Sequence, residues 1–320
     1  MIVCRTGNRI SIETPAKLNL FLEVLARRPD EFHEIETLMV AVDRYDSLTA
    51  ALLPQSQFAE SASDGIELSC DWAAGLRAAS HRSSGCWELL PDARQNLVHR
   101  ALVQFRALVR VPFGIRVLLT KRIPAAAGLG GASSDVAAAL IAANLLWNTR
   151  LSPTALQAFA ATLGSDIPFF LQTAPVAAAR GRGERIEPLP AIPKLHFVVA
   201  RPPVGLATPQ VYRACRPAEK ARDLQPLVRA LQDGSTVKVA RHLHNQLAPA
   251  AASVTPWIAR LADAFERAGT LGHQMSGSGS SYFGVCASAI HARQVAARLR
   301  QRRVGVVFCA APVPCWRYPD

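Results

Sequence analysis

Residues 124–135 read PAAAGLGGASSD, and the architecture turns on what this stretch does. The apolar run at 113–120 (FGIRVLLT) leads into it as a strand, and the Ala-rich apolar run at 136–147 leaves it as a helix. Between them stand Gly128, Gly130 and Gly131. Glycine has no Cβ to hold a phosphate away from backbone N–H groups, and it accepts positive φ. Ser133 or Ser134 is placed to cap the helix, whose free N–H groups and dipole favour an anion. The spacing is neither that of a P-loop (GxxxxGK followed by Ser or Thr) nor GxGxxG. A small-residue turn that packs a helix onto a sheet would need the same residues. Taken alone, the stretch leaves a phosphate cradle and a packing turn both open.

Composition narrows the field. With 320 residues and 50% hydrophobic content, the chain buries a substantial core and has the length of two domains or one large one. No apolar run reaches the roughly 18–20 residues that span a bilayer. Arg5 and Arg9 are followed by no apolar leader segment, so no signal peptide is expected and the cytoplasm is the expected compartment. The cysteines (Cys4, Cys70, Cys86, Cys215, Cys286, Cys309, Cys315) are odd in number and contain no CxxC. That argues against a disulfide framework and against structural zinc, and for reduced packing thiols. A net charge of +12 attracts polyanions in general. The basic residues, however, are spread along the chain apart from a cluster at 298–303, with no zinc-finger spacing and no RNP-like aromatic pattern. No nucleic-acid partner and no membrane partner are expected.

Periodicity places the remaining elements. Strands are expected at 9–13, 18–25, 35–42 and 46–51. Residues 52–94 are polar and Ser-rich, and read as an elaborated loop with one hairpin near 66–70. Leu97, Val98, Ala101, Leu102, Phe105 and Leu108 repeat at helical spacing, so 96–109 is an amphipathic helix. Pro153 after Ser152 starts another helix, continuing over 154–163. The second half carries strands at 196–201, 282–287 and 305–310. Its helices are expected near 223–232, 237–245, 255–268 and 290–300, and 312–320 reads as an irregular surface tail. The order of elements is α+β, without the regular βαβ repeat of a doubly wound fold.

Four further segments carry chemistry. In PAKLN (15–19), Lys17 interrupts an apolar strand, and a lysine there either pairs, binds phosphate, or solubilises a sheet edge. RRPDEFHE (27–34) sets the rings of Phe32 and His33 side by side after a Pro-Asp turn, as a base-stacking pair or as one packed ring and one solvated histidine. GSDIPFF (164–170) puts Asp166 at the edge of an apolar run. There a carboxylate serves as a general base with a lysine nearby, or as a helix cap. MSGSGSS (275–281) runs straight into a strand, so a second phosphate- or substrate-binding loop is favoured over a flexible linker. RGRGE at 180–184 adds a basic glycine turn.

Taken in order, PAKLN, PxxxGLGGASSD, GSDIPFF and MSGSGSS resemble the galacto-homoserine-mevalonate-phosphomevalonate (GHMP) kinase superfamily across roughly residues 10–290. RRPDEFHE, NLVHRA (96–101) and GRGE (181–184) point to members whose alcohol substrate carries a cytidine diphosphate. The resemblance implies two domains, expected at 1–165 and 166–320. The first would be a ribosomal-protein-S5-domain-2-like α/β domain and the second an α/β-plait-like domain, with the site in the cleft between them.

The same resemblance implies transfer of the ATP γ-phosphoryl group to the 2-hydroxyl of a cytidyl-diphosphate-linked methylerythritol, a step of non-mevalonate isoprenoid synthesis. Asp166 would be the general base and Lys17 would polarise the hydroxyl and phosphates, with Mg²⁺ near Ser133 or Ser134. Asn96, Pro124, Gly128, Leu129, Gly130, Gly131, Ala132, Ser133 and Ser134 would line ATP. Asn19, Phe32, His33, Thr208, Ser276, Gly277, Ser278 and Gly279 would line the cytidyl substrate. A monomer or weak homodimer is expected.

Three positions depart from the family pattern. Glu31 replaces a glycine and Phe32 a tyrosine in RRPDGYHE, and Asp135 replaces the asparagine of SSN. Glu31 sets a charged, non-glycine side chain at a turn that favours positive φ. The alternatives are another kinase of the superfamily, or a catalytically degenerate paralogue that binds anions or nucleic acid. RRPDEFHE disfavours the first, and the intact Lys17 and Asp166 disfavour the second.

Overall fold

The computed structural model describes residues 1–54, 64–76, 90–189 and 193–316. Among these, two sheets form. The first runs β1 (Ile2–Thr6), β2 (Arg9–Arg27), β3 (His33–Leu53), β5 (Gly114–Lys121), β4 (Ile66–Trp72). Strand β6 (Val176–Gly181) joins it on β3, β7 (Arg185–Pro188) joins on β6, and β9 (His244–Asn245) joins on β2. The second runs β10 (Gly272–Met275), β11 (Tyr282–Cys286), β8 (His196–Arg201), β12 (Val306–Ala310).

The four short N-terminal strands read from periodicity are two long ones. Register shifts at Pro15/Ala16, Asn19/Phe21 and Val24/Ala26 interrupt the alternation, and each such bulge bends the β2–β3 ribbon without ending its pairing. Strand β3 is then shared, its first half bonded to β6 over Ile35–Val40 and its second half to β5 over Ser47–Leu53.

Four helices cover this sheet: α1 (Leu97–Val109), α2 (Gly131–Leu146), α3 (Pro153–Leu163) and α4 (Ile167–Leu171). Helix α2 is buried without a break from Ser134 to Ala143. A helix apolar on all sides belongs in the middle of a core, and its alanines let β2, α1 and α4 approach closely. Phe105, Phe169 and Phe170 fill the space around it.

The second sheet buries both faces. Phe197, Val199, Phe283 and Val285 pack with Leu18, Leu20, Leu38 and Val40 of the first sheet. The opposite face, with Val198, Ala200 and Cys286, packs under α9 (Trp257–Ala268) and α10 (Ala289–Gln301). The two sheets therefore share a core, and β2 lies at their junction.

Several sequence readings change. The first sheet holds the chain to Pro188 through β6 and β7, so it extends past the boundary read at residue 165. Residues 66–72 form β4, paired parallel to β5 rather than in a hairpin; the rest of that loop reading falls partly on 55–63 and 77–89, outside the described residues. The helix read at 237–245 ends at Arg241 as α7 (Thr236–Arg241), because His244 and Asn245 pair with Phe21 and Leu22 of β2. The tail is not a surface segment as far as Trp316. Pro312 bridges to Val42, and Val313 and Trp316 are 4% and 5% exposed inside the first core. Apolar Val313 and Trp316 alternate with nothing periodic in sequence, which hid their burial. No helix among the described residues is long and apolar enough to cross a membrane.

Candidate active site

Lys17 sits on β2 where the two sheets meet and is 3% exposed, so it is not a sheet-edge solubiliser. Its ammonium donates to Asn19 Oδ1 at 2.6 Å and lies 3.4 Å from Asp166 Oδ2. Residues 17 and 19 share one strand face because side chains alternate. Asn19 in turn donates from Nδ2 to Thr37 Oγ1 at 2.9 Å, and Thr37 donates to the Phe21 carbonyl at 2.6 Å. That relay fixes which end of the Asn19 amide faces the lysine.

Asp166 stands at the first position before α4 but makes no side-chain capping bond. Its carboxylate, 36% exposed, faces Lys17 and solvent. The buried Phe169 and Phe170 anchor α4 beneath α2, and this anchoring holds the carboxylate at the end of that helix.

The glycine loop lies against β2 on one side and the 275–281 loop on the other. Lys17 N–H donates to the Leu129 carbonyl at 2.9 Å, and Ser281 N–H to Ala127 O at 3.1 Å. The Ser276 hydroxyl donates to Gly128 O at 3.0 Å. A Cβ on Gly128 would lie 2.1 Å from the Ser276 carbonyl oxygen, and one on Gly130 2.8 Å from Lys17 Cγ. Gly130, at φ 71°, is itself the N-cap residue of α2, and no side chain caps that helix. The expected capping by Ser133 or Ser134 is thus corrected. Ser134 is fully buried, donates to the Pro15 carbonyl at 2.7 Å and contacts the Thr14 hydroxyl, tying the helix to β2. Ser133 is half-buried on the first turn. Among the described residues no side chain caps this first turn, and the helix dipole makes this end electropositive.

The 275–281 loop is a built structure rather than a linker: Ser276, Ser280 and Ser281 are fully buried. Asn245, absent from the sequence reading, donates to the carbonyls of Met275 and Gly277, both at 2.8 Å. Gly277 brings the loop to the lysine, since its Cβ would lie 3.1 Å from Lys17 Nζ. Thr208, at the start of α5 (Thr208–Ala214), meets the Ser278 hydroxyl at 2.8 Å. One turn on, Tyr212 packs its ring 5.1 Å from His33. Burial raises the Tyr212 phenol pKa, and the Asp166 charge adds to this. The i, i+4 spacing from Thr208 was the available signal for Tyr212.

The turn before His33 carries Phe32, which is 49% exposed. Glu31 does adopt φ 65°, the left-handed region that costs a non-glycine residue about 1 kcal/mol or more. Glu31→Gly is expected to stabilise the fold by about 0.5–1 kcal/mol, some of the gain being lost to the freer unfolded chain. A denaturation midpoint that does not rise would contradict it.

Beneath the glycine loop lies a cluster that sequence reading did not assemble. Lys121 pairs with both Asp46 and Asp135, all three buried. Its ammonium is 3.4 Å from where a Gly131 Cβ would stand. Asp46 also accepts from the N–H groups of Arg122 and Ile123, whereas Asp135 Oδ1 accepts no hydrogen bond among the described residues. Burial, together with the nearby Asp46 charge, pushes the Asp135 carboxyl up to about 8.

Lys17, Asn19, Asp166, Gly128 to Ser133 and Ser276 to Ser278 thus converge on one place. Thr208, His33 and Phe32 border it, while Ala132 is exposed and Pro124 and Leu129 are buried in the loop's support. Asn96 lies beside Cys70, with its oxygen already accepting from Val98 N–H at the start of α1. Among the described residues, no group of three or more His, Cys, Asp or Glu is placed to hold a metal ion.

Comparison with known proteins gives the same picture. Residues 96–173 match the GHMP kinases N terminal domain and 227–304 the GHMP kinases C terminal model. A 4-diphosphocytidyl-2-C-methyl-D-erythritol kinase of Pelotomaculum thermopropionicum is 42% identical over 288 residues, 89% of this chain and 92% of that protein. Another of that name from Bacillus velezensis is 34% identical over 278 residues, 87% of this chain and 88% of that protein. The crystal structure of a 4-(cytidine 5'-diphospho)-2C-methyl-D-erythritol kinase superposes with a TM-score of 0.73 at 34% identity, covering 95% of this chain and all of that one.

Proposed function

This chain belongs to the 4-diphosphocytidyl-2-C-methyl-D-erythritol kinase family of the GHMP kinases, and we infer from that membership and from its site that it transfers the γ-phosphoryl group of ATP to the 2-hydroxyl of the cytidyl-linked methylerythritol. The observation that carries the inference is the Lys17–Asp166 pair at 3.4 Å beside the uncapped start of α2.

Phosphoryl transfer needs little covalent help from the protein; positioning and charge neutralisation supply most of the catalysis. Asp166 accepts the proton of the attacking hydroxyl. Lys17, paired with Asp166 and oriented by Asn19, stabilises the alkoxide forming between them and the phosphoryl oxygens beyond it. The N–H groups of Gly131, Ala132 and Ser133 receive the triphosphate at the positive end of α2. Mg²⁺, when bound to the ATP phosphates, neutralises their charge, and Ser133 is the hydroxyl available to it because Ser134 is committed to Pro15. On the other side Phe32, His33 and Tyr212 offer ring faces to the cytosine, and Thr208 and Ser276 to Gly279 border the diphosphate.

The test is ADP release by the purified protein with Mg-ATP and the cytidyl-methylerythritol substrate, run beside mevalonate and homoserine. Turnover confined to the cytidyl substrate is the expected result. Equal turnover of the other alcohols would overturn the substrate assignment.

A further inference from the structure

The basic turn RGRGE has no part in the reaction just described, yet it is wedged between two parts of the site. Arg180 pairs across β6 and β7 with Arg185, which leaves Gly181, Arg182, Gly183 and Glu184 as the tip. Gly181, at φ 76°, makes room for the Glu184 carboxylate, which accepts the Arg182 N–H at 2.6 Å. Gly183, at φ 113°, passes 3.5 Å (from its would-be Cβ) from the Cβ of Ser165, the neighbour of Asp166. The Arg182 side chain then spans the gap. One Nη donates to the Ala161 carbonyl at 3.2 Å, near the end of α3, and the guanidinium lies 4.7 Å from the centre of the Phe32 ring. A second tie runs outside it, where Arg28 and Arg185 each donate to Glu34 at 2.7 Å.

An exposed phenylalanine at the tip of a turn is free to change rotamer, and a ligand that stacks on it must first fix it. A guanidinium on one face holds the ring by cation–π attraction and leaves the other face open. Because the same guanidinium is bonded to the last turn of α3, which leads directly into the Asp166 segment, it sets the ring's position relative to that segment. We propose that Arg182 is a positioning residue for the nucleobase side of the site: it clamps Phe32 for stacking and ties the recognition turn to the general-base segment. The proposal rests on the functional reading above and specifies how one wall of that site is pre-organised.

The experiment compares wild type, Arg182→Ala, Arg182→Lys, Phe32→Ala and the double variant. Binding of cytidine 5'-diphosphate is measured by calorimetry, together with steady-state kinetics for both substrates. Arg182→Ala is expected to weaken cytidine 5'-diphosphate binding and raise KM for the cytidyl substrate about tenfold. Its kcat and its KM for ATP should stay within about twofold of wild type. Arg182→Lys should recover part of the loss, and Arg182→Ala should cost nothing further once Phe32 is gone. Parallel losses in kcat and ATP affinity, or an effect of Arg182→Ala undiminished without Phe32, would reduce the residue to general scaffolding and overturn the proposal. Wild-type binding and turnover with an unchanged KM in Arg182→Ala would overturn it while leaving the functional reading intact. A folded wild type that neither binds cytidine 5'-diphosphate nor turns over the cytidyl substrate removes the functional reading, and this proposal with it.

Discussion

Asp166→Asn is expected to lower kcat by about 10²- to 10⁴-fold, the usual contribution of a positioned proton acceptor, while leaving ATP binding near wild type. Asparagine keeps the size and hydrogen-bonding oxygen of the side chain but cannot take a proton. It also removes the charge 3.4 Å from Lys17 Nζ. The folded state should tolerate this, because Asp166 caps nothing and its carboxylate is 36% exposed. On the proposed reading ATP is held by the start of α2, to which Asp166 makes no hydrogen bond among the described residues. Single-turnover rates on a variant whose melting temperature and ATP titration match wild type are the check. A variant that keeps more than about a tenth of kcat would mean that Asp166 only orients the hydroxyl, with the proton lost to phosphate or solvent.

How much of this was legible before the structure depended on sequence distance. Residue type alone singles out the glycine loop, Lys17 and Asp166 but leaves a packing turn, a sheet-edge lysine and a helix cap open for them; their order along the chain, and the resemblance it carries, join them into one candidate site. What the segments could not show was which hydroxyl does what. Ser133 and Ser134 are adjacent and chemically alike, and only the placement of β2 makes one a tether to Pro15 and leaves the other at the first turn. Glu31 was legible as a strained residue because the turn's need for positive φ is local, and it is indeed found at 65°. By contrast Asn245, whose amide supports the Met275–Gly277 backbone, lies in a stretch read as helix. Its role appears only once β9 pairs with β2 across more than 200 residues of chain. Trp316 stayed hidden for the same reason, since nothing in a short irregular tail signals that it closes the core of the first sheet.

The Asp46–Lys121–Asp135 cluster is the clearest case of a feature assembled by the fold alone, and it carries the largest expected effect on stability. Lys121→Met should destabilise the protein by about 3–5 kcal/mol, because it leaves the buried Asp46 carboxylate without its cation and lets Asp135 remain there only as the neutral acid. The burden falls unevenly. Asp46 retains the N–H groups of Arg122 and Ile123 as donors, whereas Asp135 loses the ammonium that holds its Oδ2, so Asp135 is the group that must hold a proton. Already in wild type its carboxyl is raised to about 8 against 3.8 for the free side chain. Between those values the native state holds a proton that the unfolded chain has released, so stability falls as pH rises through this window. Lys121 is raised above its ordinary value by the two carboxylates. It therefore stays charged in both states over that range and contributes no slope of its own. Across pH 5 to 8 the melting temperature of wild type should fall relative to that of Asp135→Asn, which lacks this proton, and Lys121→Met should show the same relative fall from a lower start; the Met1 amino group, held down to about 4 by burial, adds an opposite slope to all three. Adding Asp135→Asn to Lys121→Met should restore part of the lost stability, because asparagine stays neutral in that setting without having to take up a proton. Equal slopes in wild type and Asp135→Asn would show that the proton resides elsewhere. An Asp135 that is permanently ionised and fully offset by Lys121 would then be the better description of the ground beneath the glycine loop.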